Sequence, residues 1–146
     1  MRYKRYAKRD AVKNYFPMPN EIFSLGLTYG EISVYSFLMS CEDRKTFQCH
    51  PSYKTIGKAL RMSQNTVRKY VDSLREKQLI STESTKVTLK NGHKHNGNLR
   101  YTIQPIEEAV RYHYEQQMIQ LEEETQRQKA LKKLAKYDRK SGKTAV

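Results

Sequence analysis

Within the eight residues Ser63-Gln64-Asn65-Thr66-Val67-Arg68-Lys69-Tyr70 the chain gathers the side chains best suited to reading the edge of a base pair. The carboxamides of Gln64 and Asn65 can pair bidentately with adenine and the guanidinium of Arg68 with guanine, each good pair being worth ~1–3 kcal/mol of discrimination. Lys69 and Thr66 belong to the same run. Other chemistry-bearing residues are scattered. Cys41, Cys49, His50, His93, His95 and His113 form no CxxC pair and no HxxxH pair on a helix, the spacings that hold a metal. Glu122-Glu123-Glu124 reads as a solvated charge run rather than a catalytic carboxylate pair, and no glycine-rich phosphate loop is present. The expectation is a non-enzymatic protein with no metal and no cofactor.

A helix must hold the reading residues, and the sequence encodes one. Val67, Tyr70, Val71 and Leu74 recur at i, i+3, i+4 and i+7, which turns Gln64, Asn65, Arg68, Lys69, Asp72 and Arg75 to the opposite side. Asp72 there favours cytosine or repels the backbone. Ser63 is an N-cap type at the start, a role worth ~1 kcal/mol whatever the ligand. Just before it, Pro51 and Ser52 open a shorter helix with Tyr53, Ile56, Ala59 and Leu60 on one face, and only Arg61-Met62 and the cap separate the two. So short a link leaves a helix-turn-helix corner. Lys54 and Lys58 on the shorter helix are placed either to meet phosphates or simply to form a solvated charged face.

Further elements brace this corner. Thr28 and Glu31 form a capping box that opens a helix with Ile32, Tyr35, Leu38 and Met39 at helical spacing, and with Val34 and Phe37 apolar on other sides, as in a central buried helix. Asn20 to Gly26 reads as one helical turn with an Asn cap and a Gly stop. Past Leu79-Ile80 the period falls to two. Val87 and Leu89 alternate with polar residues, as do Leu99, Tyr101 and Ile103, so two strands are predicted. Between them, residues 91–98 carry two Asn-Gly steps, and the pair is predicted to close a β-hairpin with Lys94, flanked by His93 and His95, at its tip. Lys86, Lys90 and Arg100 belong to the same hairpin. From Ile106 there is no Gly or Pro until Gly142, and Val110, Tyr114, Met118 and Leu121 predict a long C-terminal helix. Its stripe suits a homodimer or a protein partner as well as packing on its own domain.

The charge is distributed to match. The 146 residues carry 28 Lys and Arg against 15 Asp and Glu, a net +13 that draws the chain toward polyanions. Residues 51–103 hold eleven basic and three acidic side chains, and residues 1–15 six and one, whereas 16–50 hold two and four. Arg2, Lys4, Arg5, Lys8 and Arg9 form a basic arm that can lie in a minor groove or make only loose contacts. No apolar run approaches the ~20 residues of a membrane helix, and MRYKRYAKRD is not followed by an apolar signal core. A cytoplasmic location with no membrane partner is expected, and two cysteines fit a reducing compartment.

Taken with these elements, the stretch Pro51 to Leu60, Met62 to Tyr70 and Leu74 to Ile80 resembles the DNA-reading core of bacterial winged helix-turn-helix proteins, over roughly residues 16–104. It is most similar to domains carried on plasmids, phages and conjugative elements of low-GC Gram-positive bacteria, some in transcription regulators and others in replication initiators. The resemblance implies a mainly α fold with a small β-hairpin (α+β), a winged helix-turn-helix over 20–104 between a basic arm (1–19) and a C-terminal helix and tail (105–146). It implies binding of double-stranded DNA by the helix starting at Ser63, with the positions of Gln64 and Arg68 touching bases or phosphates and that of Thr66 a phosphate. The wing would reach a minor groove or flanking phosphates. Transcriptional regulation leads; replication initiation or replisome loading, and a winged helix for protein or RNA contact, are the alternatives. The chain departs from the pattern at Lys77-Gln78-Leu79, where glycine is common, so Gln78 must turn left-handed or the helix must end differently.

Overall fold

The computed structural model describes residues 15–142, which fall into two compact units, one running to Val110 and the other starting at Arg111. In the first, a 3₁₀ turn (Asn20–Ser24) leads into α1 (Tyr29–Cys41), β1 (Gln48–Cys49), α2 (Tyr53–Leu60) and α3 (Gln64–Glu76), then β2 (Ile80–Glu83), β3 (Lys86–Thr88), β4 (Lys94–Asn96) and β5 (Arg100–Ile103). The last element, α4 (Ile106–Gly142), begins in the first unit and supplies the second. The architecture is α+β, a winged helix-turn-helix with a long C-terminal helix.

Apolar spacing explains the helices. Val34, Tyr35 and Leu38 of α1, Ile56 of α2 and Val67, Val71 and Leu74 of α3 are all buried in one core with Ile22, Leu79, Ile80 and Tyr101. Burying such side chains contributes ~1.5–3 kcal/mol each, so these stripes fix how the three helices pack. The capping box forms as the sequence predicts: the Glu31 backbone N–H donates to Thr28 Oγ1 at 3.3 Å, and the Glu31 carboxylate receives the Thr28 N–H. Asn20, in contrast, is not a cap. Pro19 stands at that position with no side-chain cap bond, because the segment is a 3₁₀ turn closed from Ile22 N–H to Pro19 O; Gly26 beyond it has a positive φ of 67°.

Ser52 and Ser63 cap α2 and α3, accepting from the backbone N–H of Thr55 (3.0 Å) and Thr66 (3.2 Å). The turn between them is tight: Arg61 is left-handed (φ 55°) and Met62 N–H donates to Gly57 O at 2.9 Å. A methyl group on Gly57 would stand 2.5 Å from the Met62 carbonyl oxygen, a backbone atom that cannot swing away. Gly57→Ala is therefore expected to lower stability by ~1–3 kcal/mol, the usual cost of forced overpacking, seen as a lower urea midpoint with an unchanged slope. An unchanged midpoint would mean the corner opens freely.

At the end of α3, Gln78 does turn left-handed (φ 63°). Leu79 N–H reaches Leu74 O (3.0 Å) and Gln78 N–H reaches Arg75 O (3.2 Å), the paired bonds of a Schellman motif built without its usual glycine.

The sheet corrects the hairpin prediction. The two strands predicted to pair with each other do not. β5 lies between β1 and β2, with Cys49 and Thr82 opposite Tyr101 and Ile80 opposite Ile103, and β3 pairs instead with β4, inside the stretch read as loop. The reason is burial: Ile80, Tyr101 and Ile103 are core residues, whereas Val87 and Leu89 are exposed, so the inner and outer halves of the wing obey different constraints. Only the Asn91-Gly92 step turns the chain (Gly92 φ 82°). Gly97 instead lets two segments cross closely, since a Cβ there would lie 2.6 Å from Thr85 Oγ1. Thr85 completes the crossing, accepting from Gly97 N–H (2.7 Å) and donating its hydroxyl to Asn98 O. Lys94 is consequently not at the tip; it sits in β4 opposite Thr88, and Lys90-Asn91-Gly92 form the tip.

Candidate nucleic-acid interface

On α3 the core-facing residues leave Gln64, Asn65, Arg68, Lys69, Asp72 and Arg75 exposed, the set the spacing predicts. Ser63 is engaged as the cap, and its hydroxyl also bonds Thr66 Oγ1 at 2.8 Å, which leaves Thr66 half-buried against the helix start. The polar side chains left exposed at the start of this face are therefore the two carboxamides and the two cations. Arg68 is held in place: its guanidinium carbon lies 5.8 Å from the centre of the Tyr53 ring on α2, within cation–π range. Tyr53 was legible only as an apolar-face residue. A contact across two helices leaves no signature in the spacing of either.

Acidic groups on this part of the chain are largely neutralised in place. Arg75 binds Asp72 at 3.1 Å and also donates to Thr82 Oγ1 (3.2 Å), tying the exposed side of α3 to β2. Arg100 pairs with Glu83 at 3.4 Å across the β2–β5 ladder. Of the three acidic residues in 51–103, Asp72 and Glu83 are paired in this way. Arg75 and Arg100 are the basic partners in these two pairs. Such exposed pairs are worth little in stability, and each can exchange its partner for a phosphate at little cost.

Lys86, Lys90, His93, Lys94 and His95 are exposed along the outer hairpin, where Lys86 stands opposite Asn96 and Val87 opposite His95. His93 N–H closes an Asx-type bond to Asn91 Oδ1 (3.2 Å) that shapes the tip. The wing base is anchored by Asn98, whose Nδ2 donates to His50 O at 3.3 Å. Lys54 and Lys58 are exposed on α2. The arm residues Arg2, Lys4, Arg5, Lys8 and Arg9 lie outside the described residues.

Cys49 is buried, and its thiol reaches Leu38 O at 3.5 Å. Burial first, then the neighbouring Cys41 and Glu42, push the thiol up to about 12, so it stays protonated and serves as apolar filler. Among the described residues no three His, Cys, Asp or Glu are grouped to hold a metal ion, and no helix is long and apolar enough to cross a membrane.

One ion pair escaped the sequence reading. The Glu31 carboxylate, 4% exposed, receives Lys77 Nζ at 2.8 Å and joins the start of α1 to the end of α3. Glu31 thus has two tasks, cap and counter-ion, and only the first has a local signature.

Residues 25–80 match the model of a helix-turn-helix domain family, a span that takes in α1, the α2–α3 corner and the first residue of β2. No curated protein matches the chain. A solved structure described as a possible transcriptional regulator from Methanosarcina mazei Go1 is similar at 19% identity, over 72% of this chain and 82% of its own, with a TM-score of 0.45; so loose a likeness carries no argument.

Proposed function

We propose that this protein binds double-stranded DNA in a sequence-specific manner and regulates transcription, with α3 entering the major groove. The observation that carries the reading is the exposed face of α3. There, two carboxamides and two cations stand clear of the core on a helix capped and braced at both ends, and the major groove is the one groove wide enough to admit such a helix. Gln64, Asn65 and Arg68 read base edges, while Lys69, Lys54 and Lys58 contact phosphates. Lys86, Lys90 and Lys94 of the wing hold the flanking backbone, with the histidines His93 and His95 beside them. The proposal includes a cytoplasmic location, where duplex DNA is met, and no catalytic step or cofactor.

The electrostatic part predicts a definite salt response. Each phosphate neutralised releases counterions, so the logarithm of the binding constant falls with the logarithm of salt at ~0.9 per contact. If arm and wing together cover ~6 phosphates, the slope is ~5 in magnitude. The triple variant Lys86→Ala, Lys90→Ala, Lys94→Ala should flatten it by up to ~3, weakening binding alike on all sequences. Fluorescence anisotropy on a labelled duplex over a salt series measures this directly. A slope unmoved by the triple variant would remove the wing from the interface, and equal preference for single-stranded RNA would favour the alternative reading of an RNA-contact module.

A further inference from the structure

The second unit is a single helix, and its charges are divided along its length. Residues 111–124 hold four glutamates against one arginine, and residues 127–140 hold seven basic side chains against one aspartate, so net −3 is followed by net +6 on one continuous rod. Large apolar residues are exposed in both halves of that rod: Tyr114, Met118, Ile119 and Leu121 in the acidic half, and Leu131, Leu134 and Tyr137 in the basic half.

We infer that α4 pairs with α4 of a second copy of this chain, and that the two helices run antiparallel. The two groups of apolar residues are arranged nearly as mirror images about Gln126. Leu121 and Leu131 lie five residues to either side of it, and Met118 and Leu134 eight. With a two-fold axis at Gln126, each copy's Leu121 faces the other's Leu131, while Met118 and Leu134 come level with each other at the margins of the contact. Leu121 and Leu131 are also separated by a 3-4-3 spacing through Glu124 and Gln128, so they lie on one seam of a two-helix packing. The same axis lays Glu122-Glu123-Glu124 beside the stretch from Arg127 to Lys133 of the second copy. A parallel pair would stack the glutamates on glutamates and Lys132-Lys133 on lysines. Opposite charges brought together along a helix pair set its orientation, and here they select the antiparallel arrangement.

The geometry has a consequence for the dimer. At 1.5 Å rise per residue, the two copies of Arg111 are held ~45 Å apart along the pair.

The pairing is independent of DNA reading and is tested without DNA on the full chain. In a Cys41→Ser background, Leu121→Cys and Leu131→Cys are made separately, one of them tagged. Mixed and mildly oxidised, they should give a disulfide-linked tagged–untagged dimer several-fold in excess of what either forms alone. Sedimentation should show that Glu122→Lys, Glu123→Lys, Glu124→Lys weakens dimerisation by about tenfold or more, and that mixing with Lys129→Glu, Lys132→Glu, Lys133→Glu restores it. Efficient crosslinking of Leu121→Cys with itself would establish a parallel pair and overturn the proposal. A monomer at all micromolar concentrations and low salt would overturn it as well. All the substituted α4 positions are exposed, so loss of pairing is not confounded with loss of the winged-helix fold.

Discussion

Arg68→Ala should cut the preference of this protein for its own DNA site over a sequence altered at one base pair by about 10- to 100-fold, while binding to unrelated duplex falls only severalfold. A bidentate arginine–guanine contact is worth ~1–3 kcal/mol of discrimination, and it is lost entirely when the guanidinium goes. The phosphate contacts proposed for Lys54, Lys58, Lys69 and the wing would remain, and they would supply the sequence-independent term. Tyr53 makes the expected loss larger than for a free surface arginine. With its guanidinium resting 5.8 Å from the ring, Arg68 enters the groove partly ordered and forfeits less side-chain entropy on binding. Arg68→Lys should recover the charge and little of the selectivity, because an ammonium cannot form the two parallel bonds. Anisotropy titrations on matched and altered duplexes give the ratio. Equal losses on both would make Arg68 a phosphate contact and hand base reading to Gln64 and Asn65.

The second large effect lies in stability. Lys77→Met should destabilise the first unit by ~2–3 kcal/mol near neutral pH. Removing one partner of a buried pair strands the other charge, and the figure is kept to the lower part of the usual range because Lys77 is partly open to water. The pH dependence identifies the cause. Burial raises the Glu31 carboxyl, but the hydrogen-bonded Lys77 ammonium and the Thr28 hydroxyl and N–H outweigh it and hold the group below its ordinary value. A carboxyl lowered by folding stabilises the protein above its unfolded pKa of about 4.3, and that contribution is lost as pH falls through the lower folded value. In Lys77→Met the carboxyl keeps the burial and loses its cation, so the variant should deviate most at neutral pH and converge on the parent in acid. Urea titrations at several pH values check this. A deficit that stays constant down to acid pH would show that the loss is packing, not charge.

The corner and the exposed face of α3 were legible because their signals are local. Ser52 and Ser63 are cap types at the start of apolar periods, and the link between the helices is too short for another arrangement. Gln78 stands where similar proteins commonly carry glycine, which left two ways to end α3, and the left-handed one is adopted. The sheet was less legible. β1 is two residues long, with no period to detect, and β5 finds its partners by burying Tyr101 and Ile103, a choice made by the core and not by the nearest strand in sequence. The contacts that steady the site, Glu31 with Lys77 and Tyr53 with Arg68, join separate helices, and a single sequence carries no trace of them. The polarity of α4 stood in the sequence throughout; it gained meaning once the helix proved continuous across both halves.

Selection of the full chain on a random duplex library, followed by sequencing, tests the central claim most directly. The account predicts enrichment of one motif by the wild type and its collapse with Arg68→Ala. Binding that enriches no motif, vanishes with salt and ignores Arg68 would contradict it, leaving a basic protein that holds DNA without reading it.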